Sequence, residues 1–262
     1  MRVPSSRAPR LIAATLTAGL ALTAIGCNQA QNIRAQALSD SHPVTFRTSD
    51  GVQLAGRLFG PDTAGAGVVL SHMVPSDQSA WFDFADRLGV AGYRVLTFDL
   101  RGVCPGGDAG CSSGSKAPQG AWQDVLAAQR YLRTQGVSRI ALIGAGLGGT
   151  ASLVAAAQPA SGLEAVITLS AAVSSDGLSA GPDVMQTVTA AKLFLAGNDD
   201  TLGADSAQAF YDSSLPPKDV ELLSTTDQGT DLLTGNQGEQ TRNLILGWLA
   251  RYLPVTPASA TP

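Results

Sequence analysis

A chain of 262 residues suffices for one sizeable α/β core and is too short for two comfortable domains. Charged residues make up only 15% of it and its formal net charge is −4. Beyond the first residues no basic run could neutralise a phosphate backbone, which excludes nucleic acid as a partner.

The N-terminus reads as a processing signal. Arg2, Arg7 and Arg10 precede an apolar Ala/Leu-rich run over residues 11–25 that stops at Gly26-Cys27. That run is shorter than the roughly 20 residues a spanning helix needs. The stretch 22-LTAIGC-27 resembles a bacterial lipobox, in which the cysteine is acylated and becomes the first mature residue, although Ala24 stands where a leucine would complete the match. A small-x-small secretory site at 24-AIG-26 is the alternative. The expected layout is a lipoprotein-type signal peptide over 1–26, a polar tether over 27–42, a single domain over 43–253 and a disordered tail over 254–262.

Strands are expected at Val44–Arg47, Val52–Leu58, Val68–Ser71, Arg94–Asp99, Arg139–Gly144, Ala165–Leu169, Lys192–Ala196 and Val220–Leu223. Helices are expected at Ser79–Ala91, Ala121–Gln135, Gly148–Ala157, Asp205–Ser213 and Glu239–Tyr252. The first two strands form a hairpin across 48-TSDG-51. Later runs such as 68-VVL-70 and 140-IALI-143 are apolar on both faces, as in a parallel sheet covered on both sides by helices. The fold class is therefore α/β, with a mostly parallel eight-stranded sheet. Residues Ala171–Thr189 read as irregular.

Cys104 and Cys111 bracket a Gly-rich loop that can bring them to bonding distance, and an extracytoplasmic compartment would oxidise them; a pair of free thiols is the alternative. Asp108 is the only nearby candidate ligand, too little for a metal site. No cofactor is expected.

In a parallel sheet the functional site lies at the carboxyl ends of the strands. Four segments converge there: 71-SHMVPSD-77, 99-DLRGVCPGG-107, 144-GAGLGG-149, and 197-GNDD-200 with 224-STTDQGTDLL-233 beyond it. Together they resemble the α/β-hydrolase family, in the group of dienelactone-hydrolase-like and small bacterial serine esterases, from about Val44 to Leu253. The resemblance implies a nucleophile elbow with Gly146 at the serine position, an acid at Asp200 and a histidine position at Gln228. It further implies an oxyanion or ligand pocket at His72, with the amides of Met73 and Leu147. Two of the three triad positions depart from the pattern. The only histidines are His42 and His72, so none follows the acid, as the family order requires. An amide such as Gln228 has no usable pKa with which to take a proton from a hydroxyl.

The leading expectation is an exported, lipid-anchored protein of this fold that lacks serine-hydrolase activity and binds a small apolar or ester-like ligand. The alternative is an active ester hydrolase using Ser170, or a water held by Asp200 and His72. A third reading is a partner-binding envelope module. Asp99 and Arg101 are read as loop-holding residues, Trp81 and Trp122 as packing anchors, with the cleft open to Trp81.

Overall fold

The computed structural model describes Leu38 and residues 41–106, 110–159 and 161–255. The expected signal segment, Cys27 and Asp108 lie outside the described residues.

Ten strands are described: β1 (His42–Arg47), β2 (Gln53–Phe59), β3 (Ala66–Ser71), β4 (Arg94–Phe98), β5 (Arg139–Ala145), β6 (Ala165–Leu169), β7 (Ser174–Ser175), β8 (Leu178–Ser179), β9 (Ala191–Gly197) and β10 (Lys218–Leu223). The α-helices are α1 (Phe82–Val90), α2 (Ala121–Thr134), α3 (Leu147–Ala156), α4 (Pro182–Thr187), α5 (Thr201–Ser213) and α6 (Gly238–Tyr252). Eight strands make one sheet in the order β1-β2-β4-β3-β5-β6-β9-β10. The β1–β2 and β2–β4 pairs are antiparallel and the others parallel. This is the expected α/β sheet.

Alternation along the strands explains why it is covered twice. In β5, Ile140 and Leu142 point into one apolar layer with Leu132 and Leu153, while Ala141 and Ile143 point into the other with Trp81, Leu88, Ile245 and Leu249. Helices α2, α3 and α5 supply the first layer, α1 and α6 the second. Trp81 is fully buried in the second layer and does not line a cleft; Trp122 packs half-buried against the first.

The differences from the sequence reading have local causes. The segment 171–189 is ordered: β7 and β8 form a tiny hairpin turned by Asp176 (φ 48°) and Gly177 (φ 85°). Successive positive φ angles at Asp-Gly are what a tight type I′ hairpin asks for. Helix α4 follows, with Pro182 in its first turn after Gly181. Helix α5 starts four residues earlier than expected, because the Asp200 side chain accepts the Gly203 N–H and caps it. At the ends, Ser41 accepts a bond from Arg57 Nε at 2.9 Å, His42 begins β1, and Arg139 donates to the Pro254 carbonyl. The body therefore reaches slightly beyond 43–253.

Candidate functional site

Strand β5 runs into α3 through a one-residue turn at Gly146, with φ 49° and ψ −121°. Its small neighbours are steric requirements. A Cβ on Gly144 would overlap the Gly148 carbonyl, one on Gly148 the Ser71 and His72 carbonyls, and one on Gly149 would sit 2.7 Å from Ala171 Cβ. The turn is tied to β6 by the Gly146 N–H to Leu169 carbonyl bond, at 3.0 Å. The hydroxyls just beyond it are spent on structure. Thr150 Oγ1 donates to the Ala172 carbonyl at 2.7 Å, and Ser152 Oγ to the Gly148 carbonyl at 2.7 Å. Position 146 thus has the geometry of a side-chain-presenting elbow, occupied by a residue with no side chain to present.

At the end of β9, Asp200 sits almost fully buried, its Oδ1 receiving the Gly203 N–H. The same oxygen accepts from Gln228 Nε2 at 3.0 Å. The structure therefore brings together two residues 28 apart in sequence, and the amide hands the carboxylate the hydrogen bond an imidazole N–H could supply. An amide so placed orients the carboxylate but does not accept a proton.

On the opposite wall, the Met73 and Leu147 backbone N–H groups have no hydrogen-bond partner among the described residues, leaving two donors flanking Gly146. His72 lies behind this loop rather than in the pocket. It is fully buried; the Leu100 N–H donates to its Nε2 at 3.0 Å, which places the proton on Nδ1, directed at the Met73 carbonyl at 2.9 Å. Burial lowers its pKa from the ordinary value, against the smaller opposing effects of the Met73 carbonyl bond and of Asp77. With both nitrogens occupied, His72 has none left to hold a water.

The Met73 side chain crosses the site. An ideal Cβ at position 146 would lie 2.9 Å from Met73 Cβ and 3.6 Å from its Cα. One at Gly229 would overlap Met73 Sδ and stand 3.2 Å from its Cε and 3.5 Å from Ala145 Cβ. Thr230 Oγ1 lies 4.0 Å from the sulfur. The thioether therefore fills the space between the elbow and the turn that carries Gln228.

Ser170, the residue after β6, adopts φ 49°, and its buried Oγ finds no hydrogen-bond partner. A non-glycine residue in the left-handed region costs on the order of 1 kcal/mol. Among the described residues, therefore, no base lies within hydrogen-bonding distance of it.

Beside Leu147 a cavity of about 260 Å³ opens, walled by Val74, Leu100, Val103, Pro118 and Ala121, with Lys116 and Asp176 at its rim. Arg101 also borders it, but its guanidinium is committed to Asp124 at 2.8 Å and Asp50 at 2.9 Å. Asp99 is fully buried, receives the Gln78 N–H and Nε2, and is pushed up to about 6 by burial. Both residues hold the loop, as expected. Cys104 and Cys111 are joined, and the Ser112 hydroxyl after the bond donates to the Asp99 carbonyl at 2.6 Å and stitches the loop to β2. A larger groove of about 780 Å³ runs along α6 beside Trp248, away from the elbow, and is mostly open to solvent. No group of three His, Cys, Asp or Glu residues able to hold a metal ion occurs among the described residues.

The family model for the alpha/beta hydrolase fold matches residues 67–231. No curated protein matches the chain at the sequence level. Among solved structures, an esterase from Pyrococcus furiosus superposes with TM-score 0.69 at 16% identity, covering 83% of this chain and 93% of that one. A dienelactone hydrolase from Anabaena variabilis gives 0.66 at 18% identity, with 81% and 98% covered. A structure described as a membrane phospholipase A and bacterial virulence factor gives 0.65 at 15% identity, with 89% and 96% covered. The elbow, the acid at the end of β9 and the turn beyond β10 fall within the span of the family match, and the chain belongs to the alpha/beta hydrolase fold family.

Proposed function

We propose that this protein is an exported, lipid-anchored member of the family that carries no serine-hydrolase chemistry and uses its cleft to bind a small apolar ligand. The observation that carries the reading is the pairing of a glycine at the elbow with a glutamine bonded to the acid. The frame of a nucleophile–base–acid relay is present, and the two groups that must exchange a proton are absent from it. Glycine at a strained turn is also what relaxed selection for chemistry favours, since it removes a cost on the order of 1–3 kcal/mol. The apolar cavity beside Leu147 suits a compact ligand, and the free Met73 and Leu147 amides suit a carbonyl oxygen on it. Export and anchoring rest on the Arg-rich start, the short apolar run and Cys27.

The test uses the full chain carrying Cys27→Ser to remove the acylation site. Native mass spectrometry of this protein purified from its own envelope compartment is expected to show a bound small molecule that Leu147→Trp displaces. Treatment with a serine-directed fluorophosphonate is expected to leave no adduct. An adduct at Ser170 would favour the second reading, an ester hydrolase with an unorthodox nucleophile, which draws on the strained, unpartnered Ser170 hydroxyl.

A further inference from the structure

The substitutions at 146 and 228 explain the loss of a nucleophile and a base. They leave a different question open: whether the space in which such groups would meet still exists. Proton transfer requires the two within about 2.6–3.2 Å, with nothing between them. Here Met73 packs between Gly146 and Gly229, the residue next to Gln228. The Met73 Cβ crowds the position of a 146 side chain, and its sulfur and methyl cover Gly229.

We infer that Met73 is a steric plug that closes the elbow, a third block added to the two substitutions and independent of them. This rests on the proposed absence of serine-hydrolase chemistry, and concerns where a ligand can go. Both glycines facing the plug are themselves needed for it. A side chain at 146 would meet Met73 Cβ and one at 229 its thioether, so Gly146, Gly229 and Met73 form one packed unit. Helix α3 and the Gly229–Leu233 turn fix the two glycines from opposite sides. Met73 is held on its own side because its carbonyl receives the buried His72 Nδ1–H. The plug also defines the ligand site. With the floor between 146 and 228 filled, the ligand is confined to the Val74–Leu100–Val103–Leu147 cavity, which favours a short apolar body over a long chain reaching toward Asp200.

The plug is tested with a nucleophile that needs no base. In the full chain carrying Cys27→Ser, Gly146→Cys places a thiol at the elbow, while Cys104 and Cys111 remain bonded and silent. Alkylation by iodoacetamide is followed with Met73 present and with Met73→Gly added, which removes the Cβ that crowds position 146. We expect Met73→Gly to raise the rate at least about tenfold, equivalent to roughly 1.4 kcal/mol of access cost. Equal rates in two folded variants overturn the plug. Should Gly146→Cys fail to fold, a stability cycle between Gly229→Ala and Met73→Ala replaces it. The cost of Gly229→Ala is expected to shrink at least about tenfold in unfolding constant once Met73 is truncated, and strict additivity overturns the plug. Neither readout involves turnover. Activity in the unaltered chain would defeat the proposed function, while equal alkylation would defeat only the plug.

Discussion

Placing a single methyl group at the elbow tests how tightly it is built. In Gly146→Ala the new Cβ meets two separate costs. The backbone, at φ 49° and ψ −121°, lies in a region that L-residues reach at about 1–3 kcal/mol. The methyl then stands 2.9 Å from Met73 Cβ, too close for two carbons, and relieving such overpacking costs a further 1–3 kcal/mol or so. The sum is about 2–6 kcal/mol. Gly136 supplies the control: its φ is 85° and a Cβ there meets nothing within 4 Å, so Gly136→Ala carries only the backbone cost, about 1 kcal/mol. Equilibrium urea unfolding of both variants, with unchanged m values, gives the comparison directly. If Gly146→Ala is within about 0.5 kcal/mol of Gly136→Ala, Met73 does not press on the elbow and the steric reasoning fails.

Three further outcomes are expected. The Asp99 carboxyl, pushed up to about 6 from 3.8, keeps its proton in the folded chain at pH values where the unfolded chain has lost it. Its contribution to stability therefore falls as pH rises from about 4 to 6 and is flat above that, by at most about 3 kcal/mol. Urea unfolding of the wild type and of Asp99→Asn, compared at pH 4 and pH 7, should show this loss in the difference between the two chains. Arg101→Met strands the fully buried Asp124 carboxylate and should cost about 3–5 kcal/mol in the same assay; a loss below about 1 kcal/mol contradicts the buried pairing. Cys104→Ser with Cys111→Ser should cost about 2 kcal/mol from the short closed loop, and thiol titration without reductant should find neither sulfur free in the wild type.

What the sequence made legible follows from how local each signal is. The inner strands of the large sheet could be read because double-sided burial makes short runs such as 140-IALI-143 uniformly apolar, while the largely exposed edge strands β1 and β10 were legible only as short β-rich runs. The alternation of helices between strands then fixes a parallel arrangement. Asp200 and Gln228 could be named from the resemblance of 197-GNDD-200 and 228-QGTD-231 to the family's turns, and the structure places them 3.0 Å apart. The β7–β8 hairpin was missed because two-residue strands carry no periodicity, although the Asp-Gly pair in 175-SDGL-178 was a usable sign. The early start of α5 was hidden because a cap works through one side chain, before any apolar repeat begins. Nothing local could reveal where the Met73 side chain lies. Its contacts join residues 73, 146 and 229, which share no pattern along the chain. The commitment of both His72 nitrogens depends on Leu100, 28 residues away, and is likewise a tertiary fact.

The central claim is that the elbow frame persists without its chemistry. The most direct measurement is hydrolysis of short activated esters by the Cys27→Ser chain, run beside Ser170→Ala and Asp200→Ala. The expected result is a rate equal to the uncatalysed background in all three. Enzyme-like turnover that Ser170→Ala or Asp200→Ala abolishes would contradict the claim.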